Sequence, residues 1–272
     1  MLENPRAARV RTIRKLSQRS VRRDTGRFVL EGPQAVRDAL AARPDLVEQL
    51  YATPTALEKH RDIRTLIDDA VAENPELEWE YADETVIDAM SDTVTPQGVV
   101  AVARQNPTAL KDIFAGDPRL IVVCEEVRDP GNLGTILRAA DAVGADGVVL
   151  TGRTVDPFNA KVVRSTTGSL FHVPFAVDAD LADVAVRARA AGLQVFAADV
   201  RGEDLLGARR EGALENPTAW VFGNEARGLT SDAVALCDRS LKLPIYGRAE
   251  SLNLATAASV CLYESAFAHR AA

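Results

Sequence analysis

Three strand-to-helix junctions of the sequence carry polar side chains among glycines and prolines. They are RDPGNLGTILR at 128–138, VFGNEARGL at 221–229 and LKLPIYGRAESLNLATAASVCLYE at 241–264. In parallel α/β sheets, ligands bind at the carboxyl ends of the strands, so such junctions are where chemistry is expected. The amide, carboxylate, hydroxyl and guanidinium groups that these loops offer belong to Asn132, Arg138, Glu225, Ser251 and Asn253.

Each of these loops also has a purely structural explanation. Asn132 and Ser251 are residue types that cap helices, and a helix is expected after each of them. Arg138 suits a solvent-facing helical position, and Glu225 can accept hydrogen bonds from a ligand or from its own loop. Taken one loop at a time, the residues leave both interpretations open.

Several common sites are absent from the sequence. No GxGxxG follows a strand-like segment, and GxxxxGK followed by Ser or Thr does not occur. Metal chemistry is not indicated, because His60, His172 and His269 are isolated from one another and from the cysteines. We therefore expect no dinucleotide or nucleoside-triphosphate loop and no metal.

The cysteines and the length of the apolar runs indicate the cellular compartment of the protein. Cys124, Cys237 and Cys261 include no CxxC pair, and two of them lie among apolar neighbours, which favours buried thiols in a reducing cytoplasm. The longest apolar runs are too short to span a bilayer. The N-terminus lacks the apolar core of a signal peptide. We expect a cytoplasmic protein without a membrane segment.

Basic residues concentrate at the N-terminus, although the chain as a whole has a net charge of −7. Residues 1–27 hold nine Lys or Arg residues and two acidic ones. Such a segment can lie as a helix along a phosphate backbone, with Arg14, Lys15 and Arg19 as candidate contacts. A solvated, partly disordered tail is the open alternative. The negative net charge of the whole chain therefore does not exclude RNA as a partner.

The alternation of strand-like and helix-like segments predicts two α/β domains in a chain of 272 residues. A first series fills residues 28–104, with its longest helix expected at 56–73. Residues 105–118 lose the alternation and contain two prolines and a glycine, as linkers do. A second series fills residues 119–272, and its β-branched strands are typical of a parallel sheet covered on both faces.

The elements of this second domain follow from the apolar periodicity. We expect strands at 119–127, 147–152, 170–175, 193–199, 219–223 and 241–245, and helices at 132–143, 159–168, 181–191, 230–236 and 252–268. The predicted fold class is α/β, with a C-terminal parallel-sheet domain preceded by a smaller α/β domain.

Taken together, the three loops resemble the three motifs of the SpoU/TrmH family of RNA ribose 2′-O-methyltransferases. N-x-G-x-x-x-R at 132–138, F-G-N-E-x-x-G-L at 222–229 and L-P-I-x-G-x-x-x-S-L-N-x-x-x-A at 243–257 match at their polar positions and in order. KVVRSTTGSLFHVPF at 161–175 resembles the segment that joins the first two motifs. More weakly, FVLEGPQAVRDAL and TPQGVVAV resemble the family's N-terminal substrate-recognition domain, whose fold is similar to that of RNA-binding ribosomal proteins.

The resemblance implies an S-adenosylmethionine-dependent methyltransferase whose C-terminal segment forms a trefoil knot, a feature that general topology would argue against. The backbone positions that would surround the methyl donor are Gly223, Leu243, Ile245 and Leu252. Hydrogen bonds that orient the ribose, the donor and Arg138 would come from Asn132, Glu225, Ser251 and Asn253. Arg164 would contact RNA phosphate or face solvent.

Arg138 would act on the target ribose. A 2′-hydroxyl must lose its proton as it attacks the sulfonium methyl, but a guanidinium with a pKa above about 12 is a poor base. We therefore expect Arg138 to hold the adjacent phosphate and stabilise the developing oxyanion, while a phosphate oxygen or a neighbouring group accepts the proton.

The resemblance also implies partners. Family members are typically homodimers whose active sites draw on both subunits. A separate N-terminal domain with a basic leader resembles members that act on large-subunit ribosomal RNA, so ribosomal RNA is favoured over transfer RNA. The alternatives are a transfer-RNA enzyme, a non-catalytic RNA-binding protein on the same fold, and a base methyltransferase. Intact polar motifs disfavour the non-catalytic protein, and similarity to the ribose-modifying branch disfavours base methylation.

Overall fold

The computed structural model describes residues 1–271, which form two compact units. The first unit consists of Met1–Asn106 and Asp156–His172, and the second of Pro107–Val155 and the described residues from Val173 onward. Residue 272, the last of the domain predicted at 119–272, lies outside the described residues. The first division falls within the linker predicted at 105–118, but the segment 156–172 groups with the first unit.

Ten strands and thirteen helices make up the described chain. The strands are β1 Arg27–Glu31, β2 Val47–Ala52, β3 Glu78–Tyr81, β4 Val99–Arg104, β5 Leu120–Glu125, β6 Gly147–Thr151, β7 Phe175–Ala179, β8 Gln194–Asp204, β9 Thr218–Phe222 and β10 Arg239–Lys242. The helices are α1 Ala8–Lys15, α2 Arg19–Thr25, α3 Pro33–Ala42, α4 Pro54–Lys59, α5 Arg61–Glu73, α6 Glu84–Met90, α7 Leu110–Ile113, α8 Pro130–Val143, α9 Ala160–Thr166, α10 Leu181–Ala190, α11 Leu205–Arg210, α12 Ser231–Ala235 and α13 Leu254–Ala271.

The first unit contains a four-stranded sheet in the order β1-β4-β2-β3. β4 runs antiparallel to both of its neighbours, whereas β2 and β3 pair in parallel. The basic N-terminal segment is helical here, with Val10, Ile13 and Leu16 buried in the core of this unit. Burial of one apolar face orders this segment, so the alternative of a disordered tail is not what the structure shows.

Two ion pairs and an aromatic cluster hold the segment 156–172 in the first unit. The buried Arg22 donates to Asp156 Oδ2 from Nε at 2.9 Å and from Nη2 at 2.6 Å. Arg164 Nη1 donates to the buried Glu31 at 2.8 Å. The ring of Phe28 lies 4.9 Å from that of Phe158, measured between centroids. These contacts explain why the segment groups with residues far earlier in the chain.

The second unit contains a six-stranded sheet in the order β10-β8-β9-β5-β6-β7, and every pairing in it is parallel. β5, β6 and β9 are buried almost throughout, as strands covered on both faces must be. This parallel sheet confirms the predicted α/β class. It also places the ends of β5, β8, β9 and β10 along one edge, where the loops of interest begin.

Three predicted elements were wrong in their bounds or their number. The strand expected at 170–175 is a short 3-10 turn followed by β7, because Thr167 and Gly168 adopt positive φ and Pro174 has no N–H to give to a ladder. The strand expected at 241–245 ends at Lys242, two residues before another proline, Pro244. The helix expected at 56–73 is two helices, α4 and α5.

β8 contains an excursion that the sequence did not predict. Ala197 pairs with Ser240 of β10, but the next residue of β10, Leu241, pairs with Glu203. Residues 198–202 therefore have no partner in β10. The strand returns at Gly202, where a Cβ atom would lie 2.4 Å from the carbonyl carbon of Ser240. Only glycine allows two backbones to approach this closely.

Candidate active site

The loop after β5 leads directly into α8. Asp129 caps this helix, since its Oδ1 accepts a hydrogen bond from the N–H of Asn132 at 2.8 Å, and Pro130 occupies the first helical position. The capping role that the sequence suggested for Asn132 was therefore wrong by three residues. As a result, the Asn132 side chain is available for contacts with other loops.

Glu225 joins the loop after β9 to this first loop. Its carboxylate accepts hydrogen bonds from the backbone N–H of Asp129 at 3.0 Å and of Arg128 at 3.1 Å. It also accepts one from Asn132 Nδ2 at 3.3 Å. A carboxylate that receives several N–H donors has a fixed orientation. Glu225 thus fixes the second motif against the first.

Asn253 adds the third loop to the same network. Its Nδ2 donates to Asn132 Oδ1 at 2.9 Å, while its Oδ1 accepts from the N–H groups of Ala255 at 3.0 Å and Thr256 at 3.2 Å. Asn253 is thus the cap of α13, and the cap suggested at Ser251 was wrong by two residues. The structure therefore brings Asn132, Glu225 and Asn253 together.

Arg138 lies six residues after Asn132 on α8, about 9 Å further along the axis at 1.5 Å per residue. Its side chain is exposed. No hydrogen bond or ion pair joins it to another residue within 1–271. Its guanidinium is therefore available to a ligand, although the structure does not join it to the network of Asn132.

The loop after β9 is narrow. A Cβ atom at Gly223 would lie 2.6 Å from the carbonyl carbon of Gly228, so glycine is required where the two arms of the loop meet. Asn224 Nδ2 donates to the carbonyl of Glu126 at 2.9 Å, and the Glu126 carboxylate pairs with Arg227. Gly223 therefore closes the loop.

A cavity of about 370 Å³ opens beside this network, a size typical of small-molecule sites. Its lining consists of apolar side chains from the ends of β9 and β10 and from α13, together with a few charged groups. The residues are Ala198, Asp199, Val200, Arg201, Phe222, Asn224, Glu225, Ala226, Arg227, Gly228, Leu241, Lys242, Leu243, Ile245, Ser251, Leu252, Leu254, Ala257 and Cys261.

Three of the four residues predicted to surround the donor line this cavity, namely Leu243, Ile245 and Leu252. Gly223 does not, although its neighbours Phe222 and Asn224 do. Ser251, predicted among the polar residues of the site, lines it as well. Sequence reasoning did not identify the charged pair Asp199 and Arg201, and the available signal was the polar run DVRG at 199–202 directly after an apolar strand.

Two electrostatic effects accompany this geometry. Hydrogen bonds from Arg201 hold the pKa of the Asp199 carboxyl below its ordinary value, so this group is ionised at neutral pH. Burial raises the pKa of Cys124 and Cys261 to about 12, which keeps both thiols protonated and unreactive. Cys261, which lines the cavity, is therefore part of its wall, and Cys124 is part of the buried sheet.

The basic residues predicted to contact RNA divide into two groups. Arg14, Lys15 and Arg19 are exposed on α1 and α2. Arg164, in contrast, pairs with the buried Glu31, and its side chain is 36% exposed. Its contact in the structure is thus with protein.

Within residues 1–271, no group of three or more His, Cys, Asp and Glu side chains is arranged to hold a metal ion. No helix in the same part of the chain is long and apolar enough to cross a membrane.

A parallel α/β sheet with a ligand-sized cavity and a polar network at its carboxyl edge is typical of enzymes whose ligands bind at the strand ends. Residues 119–263 match the model of the SpoU rRNA Methylase family, so the chain belongs to this family. Residues 7–101 match the model of the MRM3-like substrate binding domain. The family recognised from the three loops is confirmed.

Relatives and solved structures match nearly the whole chain. A 23S rRNA (guanosine(2553)-2′-O)-methyltransferase of Bacillus subtilis is 31% identical over 96% of this chain and 97% of its own length. An AdoMet-bound rRNA methyltransferase from Sinorhizobium meliloti has a TM-score of 0.81 and 32% identity, covering 97% of this chain and 96% of that one. The SpoU methyltransferase AviRb from Streptomyces viridochromogenes, solved with AdoMet, has a TM-score of 0.78 and 28% identity, covering 96% and 98%.

Proposed function

We propose that this protein transfers a methyl group from S-adenosylmethionine to a ribose 2′-hydroxyl of RNA, with large-subunit ribosomal RNA favoured over transfer RNA. The observation that carries the proposal is the network of Asn132, Glu225 and Asn253 beside the cavity. It joins all three family motifs, and its members are those expected to orient the ribose and the donor.

The cavity fits the proposed donor. Phe222, Leu243, Ile245 and Leu252 supply apolar walls for an adenine ring, and backbone groups at the strand ends can match the polar edge of the base. When bound there, S-adenosylmethionine supplies a methyl group on a positively charged sulfur. Two structural neighbours are described with AdoMet bound, which supports this choice of donor.

The residues of the chain then have separate tasks. Glu225, held by backbone N–H groups, fixes Asn132, and Asn132 and Asn253 orient the ribose through hydrogen bonds. Ser251 lines the cavity and helps to orient the donor. Arg138, which is exposed, holds the phosphate next to the target ribose and stabilises the negative charge that develops on the attacking oxygen. A phosphate oxygen or a neighbouring group accepts the proton.

The choice of ribosomal RNA rests on the first unit. Residues 7–101 match a substrate binding domain, and the relative from Bacillus subtilis is named as a 23S rRNA methyltransferase. Arg14, Lys15 and Arg19 expose positive charge on this unit and would contact phosphates. Because its substrate would be ribosomal RNA, we place the enzyme in the cytoplasm.

We also propose a homodimer, supported by an exposed apolar stripe on α13. Val260, Tyr263 and Phe267 are 40%, 40% and 53% exposed, and they lie on one face of the helix. The opposite face, with Ala258 and Leu262, is buried. A stripe of large apolar side chains on a surface helix is typical of a subunit interface.

Incubation of the full chain with methyl-labelled S-adenosylmethionine tests the function. We expect label in 23S ribosomal RNA and in alkali-resistant dinucleotides, because a 2′-O-methyl group blocks alkaline cleavage at that position. Label confined to transfer RNA would overturn the choice of substrate, and label in alkali-sensitive nucleotides would indicate base methylation. RNA binding without any label would show a non-catalytic protein.

A further inference from the structure

The excursion of β8 presents a charged pair to the cavity. Residues 198–202 leave the pairing with β10, and four of them, from Ala198 to Arg201, line the cavity. The close approach at Gly202 ends the excursion. Bulges of this kind redirect side chains and are common beside binding sites. The excursion therefore positions Asp199 and Arg201 toward the space that the proposed donor occupies.

The Asp199 carboxylate is buried and held in one orientation. Its side chain is 5% exposed. Oδ1 accepts from the N–H of Arg201 at 2.8 Å and from its Nε at 2.9 Å, and Oδ2 accepts from Nη2 at 2.6 Å. Arg201 is held in turn by a hydrogen bond to the carbonyl of Leu229 at 3.3 Å. Arg201 thus fixes a carboxylate at the cavity wall.

This carboxylate keeps unused acceptor capacity. A carboxylate oxygen can accept about two hydrogen bonds, and Oδ2 of Asp199 accepts one within the described chain. The other carboxylate of the lining, Glu225, accepts from Arg128, Asp129 and Asn132 outside the cavity. Glu225 Oε2 also accepts one hydrogen bond, but this carboxylate is exposed and joins two loops. Asp199, in contrast, is buried at the cavity wall and, among the described residues, accepts hydrogen bonds from Arg201 alone.

We propose that Asp199, oriented by Arg201, binds the ribose hydroxyls of the methyl donor. This inference rests on the proposed function, since it assumes that an adenosine-containing donor fills the cavity. Hydroxyl groups are donors that match a fixed carboxylate, and an acid after a strand of a parallel sheet is a common partner of a nucleotide ribose. The Asp199–Arg201 pair is also neutral as a whole, which suits an uncharged diol better than a charged amino-acid group.

Binding titrations with the full chain test the proposal. The probes are S-adenosylhomocysteine, methylthioadenosine, which lacks the amino-acid part, and 2′,3′-dideoxy methylthioadenosine, which lacks the diol. Asp199→Asn should weaken the first two by about 10-fold each, as expected for a lost hydrogen bond to a charged group. Binding of the dideoxy compound should not change. Arg201→Gln, as a positioning variant, should follow the same pattern with a loss of about 3-fold.

A control removes a similar pair elsewhere. Asp183 and Arg187 pair on α10, with Asp183 Oδ2 accepting from Arg187 Nε at 2.9 Å, and neither residue lines the cavity. Asp183→Asn should leave all three affinities unchanged. Unchanged binding of the dideoxy compound also shows that the cavity of each Asp199 and Arg201 variant is intact.

Each other outcome has a distinct meaning. If Asp199→Asn weakens S-adenosylhomocysteine but not methylthioadenosine, Asp199 contacts the amino-acid part and the proposal is overturned. Equal losses for methylthioadenosine and its dideoxy analogue show a structural effect, which also overturns it. If the unaltered protein binds none of the probes, the proposed donor itself is wrong and the ribose site falls with it.

Discussion

Arg138 is a guanidinium without a partner among residues 1–271, on a helix whose first turn carries Asn132, the amide that joins Glu225 to Asn253. Other exposed arginines on helices pair with a carboxylate, as Arg187 and Arg64 do with acids four residues away. An unpaired guanidinium presents up to five donors in a planar fork, which matches two phosphate oxygens at once. Its availability is what the proposed mechanism requires.

Arg138→Lys tests the need for this fork. We expect kcat to fall by about 100-fold, because an ammonium cannot hold a phosphate and an oxyanion in the same plane. Affinity for S-adenosylhomocysteine should stay unchanged, since Arg138 is not part of the cavity lining. Single-turnover methyl transfer and binding titrations measure the two quantities. Near-normal turnover would contradict the role, and Arg189→Lys, at a surface pair with Asp238, is the control.

The sequence revealed the polar residues of the site better than their local tasks. Asn132, Glu225 and Asn253 were identified from motif spacing, and the structure brings them into one network. The caps were misplaced, because Asp, Asn and Ser cap helices about equally well and two candidates stood within three residues of each other. Asp199 was not identified, because the run DVRG at 199–202 indicates only a polar strand end, and no local pattern shows the excursion that places Asp199 at the cavity.

At the scale of elements, the predictable features were those set by apolar periodicity and by proline. The order of strands and helices in the second unit agrees with the sequence pattern, apart from the segments at 170–175 and 241–245 and the unpredicted helix α11. In the first segment apolar side chains precede the start of backbone pairing at Phe175, and in the second they continue past its end at Lys242. Apolar periodicity indicates which side chains are buried, but it does not indicate which backbone N–H groups pair between strands.

Gly202→Ala tests the excursion of β8. The added Cβ would lie 2.4 Å from backbone atoms of Ser240, which are not free to move as a side chain is. We expect a loss of about 2 kcal/mol in the free energy of unfolding, in the range of overpacked sites. Weaker binding of methylthioadenosine should accompany it, because Asp199 would shift.

Denaturant unfolding and binding titrations measure both effects of this substitution. Gly207→Ala is the control, since the nearest atom to its added Cβ is 3.8 Å away and alanine favours the helix α11. It should be neutral or stabilising. An unfolding free energy of Gly202→Ala equal to that of the unaltered protein would show that the strands separate easily.

At the scale of the whole molecule, the resemblance gave predictions that composition does not contain. The family is confirmed, whereas the trefoil knot and the homodimer stay predictions. A knot depends on the path of the whole chain, and an interface depends on a second copy, so neither is encoded in a local pattern. The exposed apolar stripe on α13 allows the homodimer to be tested by substitution.

Phe267→Asp tests the dimer. A carboxylate within an apolar interface would lose its hydration without a partner, so we expect the variant to be monomeric and to lose most of its methyl transfer. Sedimentation or light scattering measures the mass. Val186→Asp, at another exposed apolar side chain, which is 63% exposed on α10, should leave both mass and activity unchanged. A dimeric Phe267→Asp variant would place the interface elsewhere.

The segment 156–172 also determines when the first unit can fold during synthesis. Arg22 and Glu31 are buried, but Asp156 and Arg164 follow them by 134 and 133 positions. In a nascent chain that ends in the linker, both charges would lack their ion-pair partners and keep only hydrogen bonds within residues 1–106, which would destabilise the first unit. We therefore expect the ribosome to have released β5, α8 and β6 before the first unit closes. Translation and folding thus follow different orders in this chain, and a cut at 105–118 would not yield a complete N-terminal domain.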